Sequence, residues 1–216
     1  LDIRHPEGQA LLRRLVADSD ILVENFKVGG LAKYGLDYAS LKAENPGLIY
    51  VSITGFGQTG PMASQPGYDY LIQALGGLMS ITGQPEDLPG GGPQRVGVAI
   101  SDITTGLYAT IGILAALHHR SRSGEGQYID LALLDTQVGW LANQASNYLT
   151  GGVLPGLTGK WHPNLAPYQP FRTADGNMIL AVGNDSQFAN LVRFIGRQEL
   201  SEDERFSTNP HRNANR

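Results

Sequence analysis

The sequence predicts an α/β fold: a parallel sheet with helices on both faces, followed by the start of a smaller α+β domain. Three observations predict it. Ile21-Leu22-Val23 and Leu48 to Ile53 are short, continuous apolar runs of the kind that form strands covered on both faces. Stretches with apolar residues at helical spacing separate these runs, so strand and helix alternate. Beyond residue 150 the rhythm changes, and two short runs flank Ala174-Asp175-Gly176, the mark of an antiparallel hairpin.

Composition sets the outer bounds. The 216 residues are 41% hydrophobic and 17% charged, which is ordinary globular material able to bury a core. Lys+Arg 16 against Asp+Glu 20 leaves a net charge of −4, and no basic run is present to neutralise phosphates, so nucleic acid is not an expected partner. No cysteine occurs, which excludes disulfides and thiolate metal sites; no metal is expected. No apolar stretch is expected to reach the roughly 18 residues of a membrane span, and no secretory signal is visible, so a cytoplasmic protein without a membrane partner is expected.

Taken in order, Leu1 to Arg4 reads as the end of a strand. A helix opens at His5-Pro6 with Leu11, Leu12, Leu15 and Val16 as its apolar stripe. The strand at 21–23 runs into Glu24-Asn25-Phe26 and a Gly29-Gly30 hinge. Two short helices follow, Leu31 to Tyr34 and Tyr38 to Glu44, the second capped by Asp37 and stopped by Asn45-Pro46-Gly47. After the strand 48–53 the chain spends Thr54 to Gly67 on a loop at the carboxyl end of the sheet, where open α/β folds bind ligands. Tyr68 to Met79 returns to helical spacing, with Leu71, Leu75 and Leu78 expected to face inward and Gly76-Gly77 allowing close packing.

Val96, Val98 and Ile100 alternate as a strand, and Leu107, Ile111, Leu114, Ala115 and Leu117 then recur at helical spacing up to about Arg120. This places Ser101 or Asp102 at the N-cap. Asp102 has two readings on local grounds, a helix cap or a carboxylate presented for attack on an activated carbonyl beside Gly106. Ser123 to Gln127 turns the helix into a strand at 128–133, and a further helix is expected from Asp135 to Leu149. The expected organisation is a large domain at 1–150, a linker at 151–166 and the beginning of a small domain at 167–216. In the small domain a helix from Gln187 to Ile195 follows the hairpin, and the apolar faces of both are expected to be exposed or loosely held.

Several motifs together resemble the class III coenzyme A transferases. They are Val-Glu-Asn-Phe (23–26), Gly-Leu-Ala-Lys-Tyr-Gly-Leu (30–36), Ser-Ile-Thr-Gly-Phe-Gly-Gln-Thr-Gly-Pro (52–61), Pro-Gly-Tyr-Asp (66–69) and Asp-Ile-Thr-Thr-Gly-Leu-Tyr-Ala (102–109). Asn-Pro-Gly-Leu-Ile-Tyr (45–50), Gly-Glu-Gly-Gln (124–127) and His-Pro-Asn-Leu-Ala-Pro-Tyr-Gln (162–169) extend the likeness along the chain. The resemblance implies a Rossmann-like large domain and an intertwined homodimer. Measured against the family pattern, the chain is expected to be an internal piece lacking the first strand and helix and most of the small domain, and inactive alone.

The resemblance also implies roles. Asp102 matches the nucleophile that forms an aspartyl anhydride and then an aspartyl-CoA thioester, and Asp69 matches an acidic residue near it, although a helix-start charge reads equally well there. Asn25, Phe26, Lys33 and Tyr34 match the lining of the coenzyme A pocket, with Lys33 standing where an arginine is common. Tyr68, Arg4 and Leu133 match further contact positions, while Arg4 on its own reads as a solvated cation. Coenzyme A is thus the implied co-substrate, and acyl-CoA and a carboxylic acid are the implied partners, in the cytoplasm or an organelle matrix. Racemases acting on 2-methylacyl-CoA share the fold but need a histidine where this chain has Tyr68, so a His–Asp proton-exchange pair is missing.

Overall fold

A computed structural model describes residues 1–216. Helix α1 (Pro6–Ala17) leads to β1 (Ile21–Glu24), α2 (Tyr38–Glu44), β2 (Ile49–Thr54) and α3 (Asp69–Leu75). Two-residue strands β3 (Gly83–Gln84) and β4 (Gly92–Pro93) come next. They precede α4 (Ile100–Ser123), β5 (Tyr128–Ala132), α5 (Leu133–Gly139) and α6 (Ala142–Gly151). The chain ends with β6 (Tyr168–Arg172), β7 (Asn177–Ala181), α7 (Asp185–Phe194) and α8 (Asn209–Ala214).

The chain forms two compact units, residues 1–80 with 94–155, and 81–93 with 156–216. Residues 81–93 lie inside the span assigned to the large domain from sequence, yet they group with the later residues. Their short β3–β4 ladder and the bond from the Gly159 N–H to the Gly83 carbonyl hold them there.

In the first unit, β1, β2 and β5 form a parallel sheet in the order β1-β2-β5, with Val23 opposite Val51 and Val51 opposite Ile129. Ile49, Val51 and Ile129 pack with Ala109, Ala116 and Ile113 of α4 on one face. Tyr50 on the other face joins Val16 of α1, Leu41 of α2 and Leu36 in a second cluster. Helices therefore cover both faces, as the alternating pattern predicts. Burying such side chains stabilises the unit by roughly 1.5–3 kcal/mol each. Arg120 near the end of α4 donates to the Asp20 and Gly47 carbonyls and pairs with Asp20 at 2.8 Å, tying α4 to the turns that enter β1 and β2.

Four sequence expectations are corrected. Leu1 to Arg4 forms no strand; there Asp2 turns its carboxylate onto Arg4 at 2.7 Å. Val96 to Ala99 forms no strand either, because its backbone is taken up by side chains of α3 and not by a neighbouring strand. The expected helix 135–149 is two helices broken at Trp140-Leu141, with Ala142 at φ 46°. The inward face of α3 is also rotated from the one expected. On α3 the buried residues are Ile72 and Gln73, while Leu71 and Leu75 are exposed.

On α4, Ala109 and Ala116 meet the sheet together with Ile113 and Leu117, buried Thr105 faces Thr136 of α5, and Leu107 and Ile111 stand 56% and 61% exposed. Small residues let the helix lie close to the strands, which leaves Leu107 and Ile111 on the outside. With both faces apolar, α4 is long and apolar enough to cross a membrane by length and composition, at a mean hydropathy of 1.5 over its best window. The expectation that no apolar stretch reaches the length of a membrane span is thereby corrected.

The second unit has its own small core of Val182, Phe188 and Val192. Arg212, with a side chain 2% exposed, donates to the Ala166 and Phe206 carbonyls, pairs with Asp185 at 2.7 Å and lies over the Phe188 ring. The expectation that the apolar face of α7 is exposed or loosely held is corrected, since Phe188 and Val192 are buried, while the hairpin β6–β7 does leave Met178 and Ile179 exposed.

Candidate active site

The first turn of α4 is built from both of its flanks. Its N-cap position is Ala99, which has no side-chain acceptor to offer, so the orphan N–H groups of the turn need partners from elsewhere. Asp69 supplies one. Its Oδ1 accepts the backbone N–H of Ser101 at 2.8 Å, while Oδ2 accepts from Nε2 of Gln73 at 2.7 Å. Asp69 stands in the first turn of its own helix, α3, where a negative charge is favoured by the helix dipole. The expectation that Ser101 or Asp102 is the N-cap is therefore corrected: the capping carboxylate of α4 comes from α3.

Ser101 is buried, and its hydroxyl donates to Oε1 of Gln137 on α5 at 2.8 Å. The Thr105 hydroxyl donates to the Ser101 carbonyl at 2.7 Å and lies 2.7 Å from the Thr136 hydroxyl. Beside this polar layer α3 and α5 approach closely at Gly76, where an added Cβ would lie 2.4 Å from the Gln137 side chain. A second close approach precedes α3: a Cβ on Gly55 would lie 2.4 Å from the Cα of Gly67, so the loop after β2 folds back on itself at glycines.

Asp102 follows Ser101 and points the other way. It is exposed, makes no hydrogen bond within the protein, and lies in the first turn of α4. Partial burial, and then the nearby charge of Asp69, hold its carboxyl above the usual carboxylate range. The structure thus offers one carboxylate fully engaged in hydrogen bonds and one left free, side by side at a helix N-terminus. The free one has the access that a nucleophile requires.

A separate groove of about 560 Å³ is lined by Leu1, Asp2, Ile3, Arg4, Phe26, Lys27, Gly30, Lys33 and Tyr34. It brings together four of the predicted contact residues, Arg4, Phe26, Lys33 and Tyr34. Phe26 is half-exposed, and its N–H donates to Oε2 of Glu24 at 2.7 Å, which fixes the chain as it leaves β1. Lys33 lies over the Tyr34 ring at 4.8 Å. Three cations, the exposed Phe26 ring and the half-buried Tyr34 ring on one concave surface suit a ligand with phosphates and a flat base.

Other predicted contacts lie elsewhere. Asn25 is exposed beside Phe26 but is not part of the groove lining. Tyr68 is the residue before α3 and is 75% exposed, and Leu133 is buried at the start of α5. Sequence reasoning missed Lys27, a second cation just beyond Asn25-Phe26, and the buried trio Gln73, Ser101 and Gln137. The legible signal for Gln73 was its place four residues after Asp69, on the same helical face.

Comparison with known proteins shows the family of the chain. The model of CoA-transferase family III matches residues 1–216. The succinate–glutarate CoA-transferase of Agrobacterium fabrum is 55% identical over 215 residues, 100% of this chain and 53% of that protein. The succinyl-CoA:glutarate CoA-transferase of mouse is 43% identical over 216 residues, 100% of this chain and 49% of that protein. The chain spans about half the length of the curated relatives it matches. Among solved structures, a CaiB/BaiF family protein from Brucella suis is 56% identical with a TM-score of 0.80, over 99% of this chain and 56% of that one. A Mycobacterium tuberculosis protein at 31% identity has a TM-score of 0.84, over 100% of this chain and 56% of that one.

Proposed function

The chain belongs to CoA-transferase family III, and from that premise we propose that it carries the nucleophile and part of the coenzyme A site of an enzyme that moves coenzyme A from an acyl-CoA to a free carboxylic acid. The observation that carries this reading is the free Asp102 carboxylate beside the fully bonded Asp69. One Oδ of Asp102 attacks the thioester carbonyl carbon, the C–S bond breaks, and the coenzyme A thiolate leaves a mixed anhydride on Asp102. The thiolate then attacks Cγ of Asp102, giving an aspartyl-CoA thioester and releasing the donor acid. The acceptor carboxylate attacks Cγ in turn, and the expelled thiolate takes the acceptor acyl group from the second anhydride, which restores the Asp102 carboxylate.

Arg4, Lys27 and Lys33 hold the phosphates of coenzyme A in the groove, and Phe26 and Tyr34 hold its base; Asn25 borders them. Coenzyme A serves as co-substrate and no metal takes part. The similarity to succinate–glutarate transferases supports short dicarboxylic acids, succinate and glutarate, as the exchanged pair. The exposed stripe of Ile103, Leu107, Ile111 and Leu114 on α4 supports a homodimer, in which a second copy covers it. The compartment proposed is the cytoplasm or an organelle matrix.

The test is covalent. Given succinyl-CoA without acceptor, the intact protein accumulates an adduct of coenzyme A mass on the peptide containing Asp102, and hydroxylamine releases it. Absence of that adduct under turnover conditions, or its appearance on another residue, removes the reading. A 2-methylacyl-CoA incubated with the same protein in D2O takes up no deuterium at its α-carbon, because exposed Tyr68 stands where the racemases place their histidine.

A further inference from the structure

Resting on the reading of Asp102 as the nucleophile, we infer that Gln73 is a positioning residue for the transfer: its buried amide brackets the Asp69 carboxylate and the chain entering α4, and so holds the turn on which Asp102 stands. Gln73 is 0% exposed on α3, in a phase of the helix where an apolar residue would be the ordinary occupant. A buried amide is tolerated only if its polar atoms are bonded. Here both ends are. Nε2 donates to Asp69 Oδ2 at 2.7 Å, and Oε1 accepts the Val96 N–H at 2.9 Å, with the Val98 carbonyl 3.5 Å from Nε2.

The pairing suits glutamine among side chains of this length. A carboxylate on one side needs a donor and a backbone N–H on the other needs an acceptor; methionine offers neither and glutamate only the second. Asp69 carries the link onward through Oδ1 to the Ser101 N–H. Two side chains thereby join α3, the irregular segment 96–98 and the first turn of α4. Asp102 itself is held by no side-chain bond, so its position is that of the backbone beneath it. The bracket also directs the Asp69 carboxylate, the charge that acts on Asp102, into a fixed orientation. Gln73 touches no reacting atom and works through Asp69 and the turn.

The experiment compares Gln73→Met and Gln73→Glu with the unmodified intact protein, using succinyl-CoA and glutarate. Each is assayed on its folded fraction across pH. Gln73→Met lowers kcat about 10- to 100-fold, the cost of a nucleophile displaced by a fraction of an ångström or more, while KM for acyl-CoA stays within about twofold. Gln73→Glu keeps the acceptor for Val96 but sets two carboxylates at hydrogen-bond distance. Its kcat is low at alkaline pH and recovers as the pH falls and a shared proton restores the donor to Asp69. That direction is opposite to the loss the unmodified protein shows when Asp102 takes up its proton.

Unchanged kcat in folded Gln73→Met overturns the inference and leaves the proposed function standing. Parallel losses in kcat and KM, with no recovery of Gln73→Glu in acid, also overturn it, since they describe a packing residue alone. An unmodified protein with no transfer activity on acyl-CoA donors overturns the proposed function, and this inference with it.

Discussion

The first turn of α4 and the groove at Arg4, Phe26, Lys33 and Tyr34 are built in opposite ways. Around the turn the polar groups are largely bonded to one another: Asp69, Gln73, Ser101, Thr105 and Gln137 exchange donors and acceptors, with the buried Nε2 of Gln137 left without a partner, and the exposed Asp102 carboxylate is free. In the groove the cations and the Phe26 ring are exposed, and the strongest internal tie of Arg4 is to neighbouring Asp2. A reacting carboxylate has to stand at one place to within a fraction of an ångström, and a bonded, desolvated frame supplies that. A surface that holds phosphates can rely on flexible cations, since charge attraction survives small displacements. Changes at the turn are therefore expected to act on kcat, and changes in the groove on KM.

The largest expected effect breaks the comparison at its centre. Asp102→Asn removes the proposed nucleophile while keeping size and shape, so transfer is expected to fall to below about 0.1% and the coenzyme A adduct to disappear, as read by turnover and mass spectrometry. With deamidation excluded, activity of several per cent would show that the free carboxylate is not the reacting one.

Asp69→Asn is expected next. Burial and the Asp69 charge both raise the Asp102 carboxyl above its ordinary range, so removing that charge lowers it. The acid limb of kcat/KM then moves to lower pH, since Asp102 stays ionised further into acid. A limb that stays in place, or moves up, separates Asp69 from Asp102 and dissolves the paired site.

The groove responds differently. Lys33→Ala raises KM for acyl-CoA about 3- to 10-fold with kcat unchanged, and the difference narrows at high salt as screening replaces the lost charge. A fall in kcat of the same size would mean that the groove also orients the thioester, and the contrast would be blurred.

The smallest effect sharpens the comparison most. Asp102→Ala changes stability by less than about 0.5 kcal/mol in denaturant unfolding, because Asp102 bonds nothing. Asp69→Ala costs about 1–2 kcal/mol, since it strips a cap from Ser101 and a partner from buried Gln73. Equal costs at the two positions would return Asp102 to the role of helix cap.

What the sequence by itself determined is periodicity and chemistry. The runs at 21–23 and 48–53, the helix stop at Asn45-Pro46-Gly47 and the hairpin turn at 174–176 all express local rules, and each is where the fold has it. The groove residues Phe26, Lys33 and Tyr34 were legible only through the resemblance carried by Val-Glu-Asn-Phe (23–26) and Gly-Leu-Ala-Lys-Tyr-Gly-Leu (30–36), not through any local rule. Tertiary structure alone decided which face of each helix is buried. A helix apolar all round, such as α4, carries no local sign of which side meets the sheet, and the small residues won because they allow close approach to the strands. It also decided who caps α4. Ser101 and Asp102 have the residue types of a cap, but the bond comes from Asp69, 32 residues away in sequence, and its geometry exists only once α3 and α4 are packed. A strand needs a partner to take its hydrogen bonds, and Val96 to Ala99 found a glutamine side chain in place of a strand.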